Sequence, residues 1–176
     1  MAGSIMATTT PLNGWPVPTS TDYVKDGAVA IETLGDAIDT SVGSGLLAWQ
    51  TWAPTLSGGW ANGNGVWDAK YAQIGKIIHW RATFTVGTTT TKGGNMTLSL
   101  PVTAAAANSP VSTSGFLTTG STRYIASVLT NSTTTVAVGT SVANATYTTW
   151  NAMSATTPFT WATGDLVILA GTFEAA

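Results

Sequence analysis

Cysteine is absent from the 176 residues, so neither disulfides nor thiolate metal sites can form, and packing or partner chains must hold the fold together. Charge is nearly as scarce: Asp, Glu, Lys and Arg make up 8% of the chain, against roughly a quarter in an ordinary soluble domain. Solubility then rests on hydroxyls and amides. A surface with so little repulsion favours self-association or incorporation into a larger particle. The six Lys and Arg are scattered and the formal net charge is -2, which argues against a surface that tracks nucleic-acid phosphates. The single histidine, His79, excludes multi-histidine metal sites, and no cofactor is expected. No run approaches the ~20 apolar residues of a membrane span, and the first ten residues lack the cationic and apolar regions of a secretory signal.

What is present divides into two unlike parts, residues 1–45 and 46–176. Pro11 to Thr19 holds three prolines around Trp15 and must be extended. Trp15 either folds over its own helix or acts as a peg inserted into a partner. Ser20 or Thr21 then offers an N-cap, Asp22 suits the first turn, and Val24, Ala28, Ile31, Leu34 and Ile38 recur at spacings of three and four. Together these predict one short amphipathic helix. Gly27 and Gly35 each weaken it by about 1 kcal/mol, so it needs something to lie against. Its own β-domain is one solution. The other is a short parallel bundle of identical helices, because positions 24, 28, 31, 35, 38 and 42 fit an a/d register. Thr40 to Gly45 reads as a linker by composition.

The second part is rich in Thr, Gly, Ser, Val and Trp and carries the strand signals. Ile78, Trp80, Ala82, Phe84 and Val86 alternate with His79, Arg81, Thr83 and Thr85, predicting a hairpin with residues 71–76. Met96 to Leu100, Gly115 to Thr119, Arg123 to Leu129, Thr133 to Val138, Thr146 to Trp150 and Leu166 to Phe173 are further strands, and Thr88 to Gly94 reads as a polar tip. Strands at this spacing with no helical pattern between them predict a mainly β fold. The expected architecture is an antiparallel jelly-roll-like sandwich with one short N-terminal helix preceded by an extended Pro-rich arm.

Residues suited to catalysis are few. Five of the eight acids, Asp22, Asp26, Glu32, Asp36 and Asp39, fall in the helix segment, leaving Asp68, Asp165 and Glu174 for the β-region. A Ser-His-Asp arrangement would need His79 to meet Asp68 or Asp165, and paired carboxylates for glycoside hydrolysis are as scarce. The expectation is a protein that is not an enzyme. Binding is a better fit to the composition, since Trp beside turns can stack on sugars; Trp60, Trp67 and Trp150 are the candidates for a host cell-surface glycan.

Both parts resemble tailed-bacteriophage virion proteins, especially fibres and minor structural proteins of phages of actinobacteria. The run Gly14-Trp-Pro-Val-Pro-Thr-Ser-Thr-Asp-Tyr-Val-Lys-Asp-Gly-Ala28, continuing to Ile31, Leu34-Gly35 and Ala37-Ile38-Asp39, looks like an N-terminal attachment segment. The rest resembles a C-terminal β-domain of phage fibres through Trp52-Ala-Pro-Thr-Leu, Tyr71-Ala-Gln-Ile-Gly-Lys-Ile-Ile-His-Trp, Leu98-Ser-Leu-Pro-Val-Thr103 and Thr157-Pro-Phe-Thr-Trp. The resemblance implies a homotrimer on the exterior of the virion, bound to capsid or tail proteins, and assigns no catalytic residue. On this reading Trp15, Pro16, Val17, Val24, Ala28, Ile31, Leu34 and Ile38 form the docking or trimer interface. Long fibres carry shaft repeats between attachment segment and head. Only Thr40 to Gly45 intervenes here, which implies a compact knob close to the particle.

Overall fold

The computed structural model describes residues 8–11, 13–19, 23, 26–45, 48–107, 111–143 and 146–176. They form two compact units, residues 1–48 and 49–176.

In the first unit the arm is extended but turns back on itself. Strand β1 (Thr8–Thr9) pairs antiparallel with β2 (Pro16–Val17), and the Thr10 amide donates to the Trp15 carbonyl at 2.9 Å. Helix α1 (Gly27–Gly45) lies against β2. The expected cap at Ser20 or Thr21, with Asp22 and Val24, lies outside the described residues. The other end of the helix is a correction: Thr40 to Gly45 is its C-terminal end, not a linker. Side chains there act on the backbone. Ser41 Oγ donates to the Ala37 carbonyl at 2.8 Å and accepts the Trp15 indole Nε1 at 3.0 Å. The Trp15 contact fastens the arm to a stretch of helix that glycine content alone disfavours. Among the described residues no helix is long and apolar enough to cross a membrane.

The second unit is mainly β, in the antiparallel sandwich-like class that alternation predicts. Its strands are β3 (Gln50–Thr51), β4 (Leu56–Ser57), β5 (Val66–Ile74), β6 (Ile77–Thr85), β7 (Thr97–Ser99), β8 (Ser112–Thr119), β9 (Thr122–Thr130), β10 (Thr135–Ala143), β11 (Thr148–Ala152) and β12 (Leu166–Glu174). They form one curled antiparallel sheet in the order β3-β5-β6-β12-β8-β9-β10-β7-β4, with β11 also on β10. The neighbours therefore follow a single continuous path instead of forming two distinct sheets.

Alternating residues of these strands point to the inside of the curl. Ile78, Trp80 and Phe84 of β6, Val167, Leu169 and Phe173 of β12, Leu117 of β8, and Val136 and Val138 of β10 share one core. Burying each such side chain stabilises by about 1.5–3 kcal/mol, which suits a chain without disulfides. Where β7 gives way to β11 along β10, Met96 and Met153 fill the seam. The Met96 amide donates to the Met153 carbonyl, and the Met153 amide to the Val138 carbonyl. Two unbranched thioethers fit such an irregular gap.

The four-threonine run is not a free tip. Thr90 is buried, and its hydroxyl donates to the Asn62 carbonyl at 2.8 Å and accepts the Gly87 amide at 2.9 Å. The Thr89 amide donates to Asn64 Oδ1 at 2.8 Å, and the Asn64 amide to Thr89 Oγ1 at 2.9 Å. This latch needs a close approach. Gly63 sits at φ +54°, and a Cβ there would meet the Thr89 carbonyl oxygen at 2.3 Å.

Candidate functional site

Strand alternation decides which side chains of the β5–β6 hairpin reach solvent. With Ile78, Trp80, Ala82 and Phe84 turned inward, His79, Arg81, Thr83 and Thr85 face out. The register carries that face across the sheet. Arg81 stands opposite Lys70 on β5 and Ala170 on β12, and His79 opposite Ala72 and Thr172. Ala170 in turn stands opposite Ser114 on β8. Trp49, one residue before β3, is 52% exposed, and the Arg81 guanidinium carbon lies 5.7 Å from the centre of its ring. A cation over an indole face gains about 0.5–1 kcal/mol at an exposed site.

These residues surround an open cleft of about 460 Å³. Trp49, Arg81 and His79 form one side, Ala170, Gly171 and Thr172 the floor, and Thr113 and Ser114 the far side. The floor is low because Ala and Gly put almost no side chain on it. Among the described lining residues Arg81 is the one permanent charge, and no acid is present. A site of this kind can hold an anion at Arg81, stack a flat or apolar face on the indole, and exchange hydrogen bonds with Ser114 and Thr172.

A second cleft, of about 450 Å³, is lined by Tyr124, Thr140, Ser141, Asn151, Thr156 and Thr157 among others and carries no charge among its described lining residues. Behind it runs an aromatic series. Tyr124 packs on Phe159 at 5.2 Å, Phe159 on Trp161 at 4.4 Å, and Trp161 edge-on to Trp60 at 5.7 Å between centroids.

In the first unit a small cavity of about 220 Å³ lies between Pro16, Val17 and Pro18 of the arm and Val29, Ala30 and Thr33 of α1. The helix thus has two apolar sides. Leu34 and Ile38 are half-buried, whereas Ala28, Ile31 and Val42 are exposed, Ile31 by 65% and Val42 by 47%. Ala28, Ile31, Gly35, Ile38 and Val42 follow spacings of three and four, so one seam of a/d type is left largely uncovered. Trp15, Pro16 and Val17 are half-buried within this unit; Val24 lies outside the described residues.

The three tryptophans expected to meet glycan are placed differently from one another. Trp60 is a correction: it is 3% exposed, its Nε1 donates to the Gly94 carbonyl, and it has no face to offer a sugar. Its turn-rich flanks put the backbone at the surface while the ring turns inward. Trp67 is half-buried and stacks on Phe84 at 4.6 Å. Trp150 is half-buried on the outer face of β11, where it lies across Gly139 and donates from Nε1 to Ser127 Oγ at 3.0 Å.

No local sequence pattern singles out Trp49. Alternation had already placed His79 and Arg81 together on the outward face; what was missing was the register that brings β12 and β8 alongside. His79 and Asp68 do not meet. Asp68 pairs with Thr83, four residues along the strand from His79, or about 13 Å at about 3.3 Å per residue. Asp165 is buried and accepts the Ala162 amide at 2.7 Å. Among the described residues no group of three or more His, Asp or Glu is placed to hold a metal.

The chain matches no family model, no curated protein and no solved structure.

Proposed function

We propose that the protein is a non-enzymatic structural component of a tailed-phage virion. It would be a compact trimeric knob or decoration, docked on capsid or tail proteins by its first unit, with the β-unit outward. The observation that carries this reading is the uncovered seam of α1. Ala28, Ile31, Gly35, Ile38 and Val42 repeat as they would along a parallel bundle, and an apolar stripe of this kind is stable only when it leaves water, at about 25 cal/mol per Å² of apolar area. The scarcity of charge supports it, since so little repulsion opposes assembly. The β-unit adds a second apolar strip: Ile125, 67% exposed, stands opposite Phe116, 44% exposed, on the outer side of β9 and β8.

Light scattering on the purified chain tests the oligomer. A trimer at micromolar concentration is expected, and an Ile31→Asp, Val42→Asp double variant should run as a folded monomer. A wild-type monomer at that concentration overturns the trimer. Electron microscopy of intact particles with an antibody against the β-unit tests the location, and particles without label overturn the virion assignment.

A second reading, a receptor-binding protein for host surface glycans, is favoured by the exposed Trp49 and the hydroxyl-lined clefts of the β-unit. It shares the virion location and differs in what the outer surface does.

A further inference from the structure

We infer that the cleft between Trp49 and Ser114 is a binding site for an acidic saccharide, a sugar chain carrying a carboxylate such as a uronic acid. Three properties of the cleft converge on that chemistry. Its one permanent charge among the described lining residues is Arg81, whose fork of N–H donors matches a carboxylate bidentately and forms the stronger, charge-assisted kind of hydrogen bond. Trp49 holds the guanidinium over its ring and is still half exposed, so it offers the apolar C–H face of a sugar a surface to stack on. Thr172 and Ser114 supply hydroxyls that both donate and accept, which suits a ring of hydroxyls better than a hydrocarbon.

The floor argues for a chain and not a compact ion. Ala170 and Gly171 leave a shallow trough open to solvent, and its about 460 Å³ falls in the range of about 300–1,000 Å³ typical of small-ligand sites. A lone carboxylate would leave most of it empty. The outward face around the trough is mildly cationic. Lys70 lies opposite Arg81 and Lys76 sits in the β5–β6 turn, so three of the six Lys and Arg are on this hairpin, with His79 beside them. The acids of this face are Asp68, opposite Thr83 and so diagonal to Arg81, and Glu174, opposite Ile77 and four residues along β6 from it. The site stands whether or not copies assemble through α1.

The experiment is a calorimetric titration of the full-length chain with a galacturonic acid trisaccharide. Its methyl ester, a neutral trisaccharide of the same linkage, free galacturonate and a nucleoside monophosphate serve as comparisons. The acid trisaccharide should bind, and the ester and the neutral sugar should bind about tenfold more weakly or worse. Arg81→Gln and Trp49→Ala should each weaken the acid by a similar factor, and Ser127→Ala, on another part of the outer face, should leave it unchanged. Circular dichroism and thermal melting confirm that each variant is folded; if Trp49→Ala is not, Arg81→Gln and the ester decide alone. Equal affinity for acid and ester, wild-type affinity in Arg81→Gln, or no binding at millimolar ligand overturns the site. Tighter binding of free galacturonate or of the nucleotide overturns the saccharide assignment.

Discussion

The indole Nε1 of Trp15 donates to the Ser41 hydroxyl at 3.0 Å, joining residues 26 apart in sequence, and the same hydroxyl donates to the Ala37 carbonyl one turn earlier. The Pro-rich arm is thereby fastened to the last turn of α1. Replacing Trp15 with Phe keeps an aromatic ring, though a smaller one, and removes the donor. Hydrogen exchange should then speed up by a few-fold at residues 38–45, as expected for loss of a bond worth about 1 kcal/mol, with the β-unit unchanged. Unaltered exchange would show that the turn holds without the arm.

Gly139 and Trp150 make a tighter pair. A Cβ on Gly139 would meet the Trp150 ring and the Asn151 carbonyl oxygen at 2.4 Å each. Gly139→Ala should therefore destabilise the β-unit by about 1–3 kcal/mol, and urea unfolding followed by tryptophan fluorescence measures it. A second change, Trp150→Ala, should recover only part of that loss, because the carbonyl contact persists.

The two outlooks of tryptophan in this fold predict opposite costs. Trp60, packed on Trp161 and hydrogen-bonded to Gly94, should lose about 3–5 kcal/mol on change to Ala. Trp49→Ala removes a half-exposed ring and its contact with Arg81 and should cost no more than about 1 kcal/mol. Thermal or urea unfolding of the two variants side by side separates them.

Thr90 tests the latch between the glycine-rich turn and the threonine run. Thr90→Val keeps the shape but leaves the Gly87 amide without its acceptor, at about 1–3 kcal/mol, while the Asn62 carbonyl keeps the Gly65 amide. Thr88→Val, whose hydroxyl accepts only an exposed Asn64 amide, should cost much less.

Every described residue of the buried core belongs to the second unit. A chain lacking residues 1–48 should accordingly melt within a few degrees of the full-length protein. If it aggregates or melts far lower, the first unit contributes to the core's stability.

The sequence reveals much of the β-unit because alternation is a local signal: Ile78 to Val86 announces both its strand and its two faces. Composition misleads where a distant residue decides. Thr40 to Gly45 looks like linker until Trp15 is placed on Ser41, and Thr88 to Gly94 looks like a loose tip until Asn62 and Asn64 are brought to it. Trp60 misleads because flanking glycines indicate where the backbone bends and not where a ring points. The cleft at Arg81 was half legible. Its outward face follows from period two, but Thr172 and Ser114 reach it only through pairing with β12 and β8, which no local pattern encodes.

The outermost members of the sheet path, β3 and β4, come from one short stretch, Gln50 to Ser57, directly after the division between the units. That stretch works as a mechanical clasp. Tension entering the β-unit from the first unit meets β3 first and, through the four residues 52–55, β4, so both rims of the curl lie ahead of any interior strand on that path. Each rim strand is only two residues long, which leaves a short ladder for another chain to extend and limits edge-to-edge stacking. On that path the first resistance is the short pairing of the clasp with Lys70, Tyr71, Thr97 and Leu98, ahead of any interior ladder.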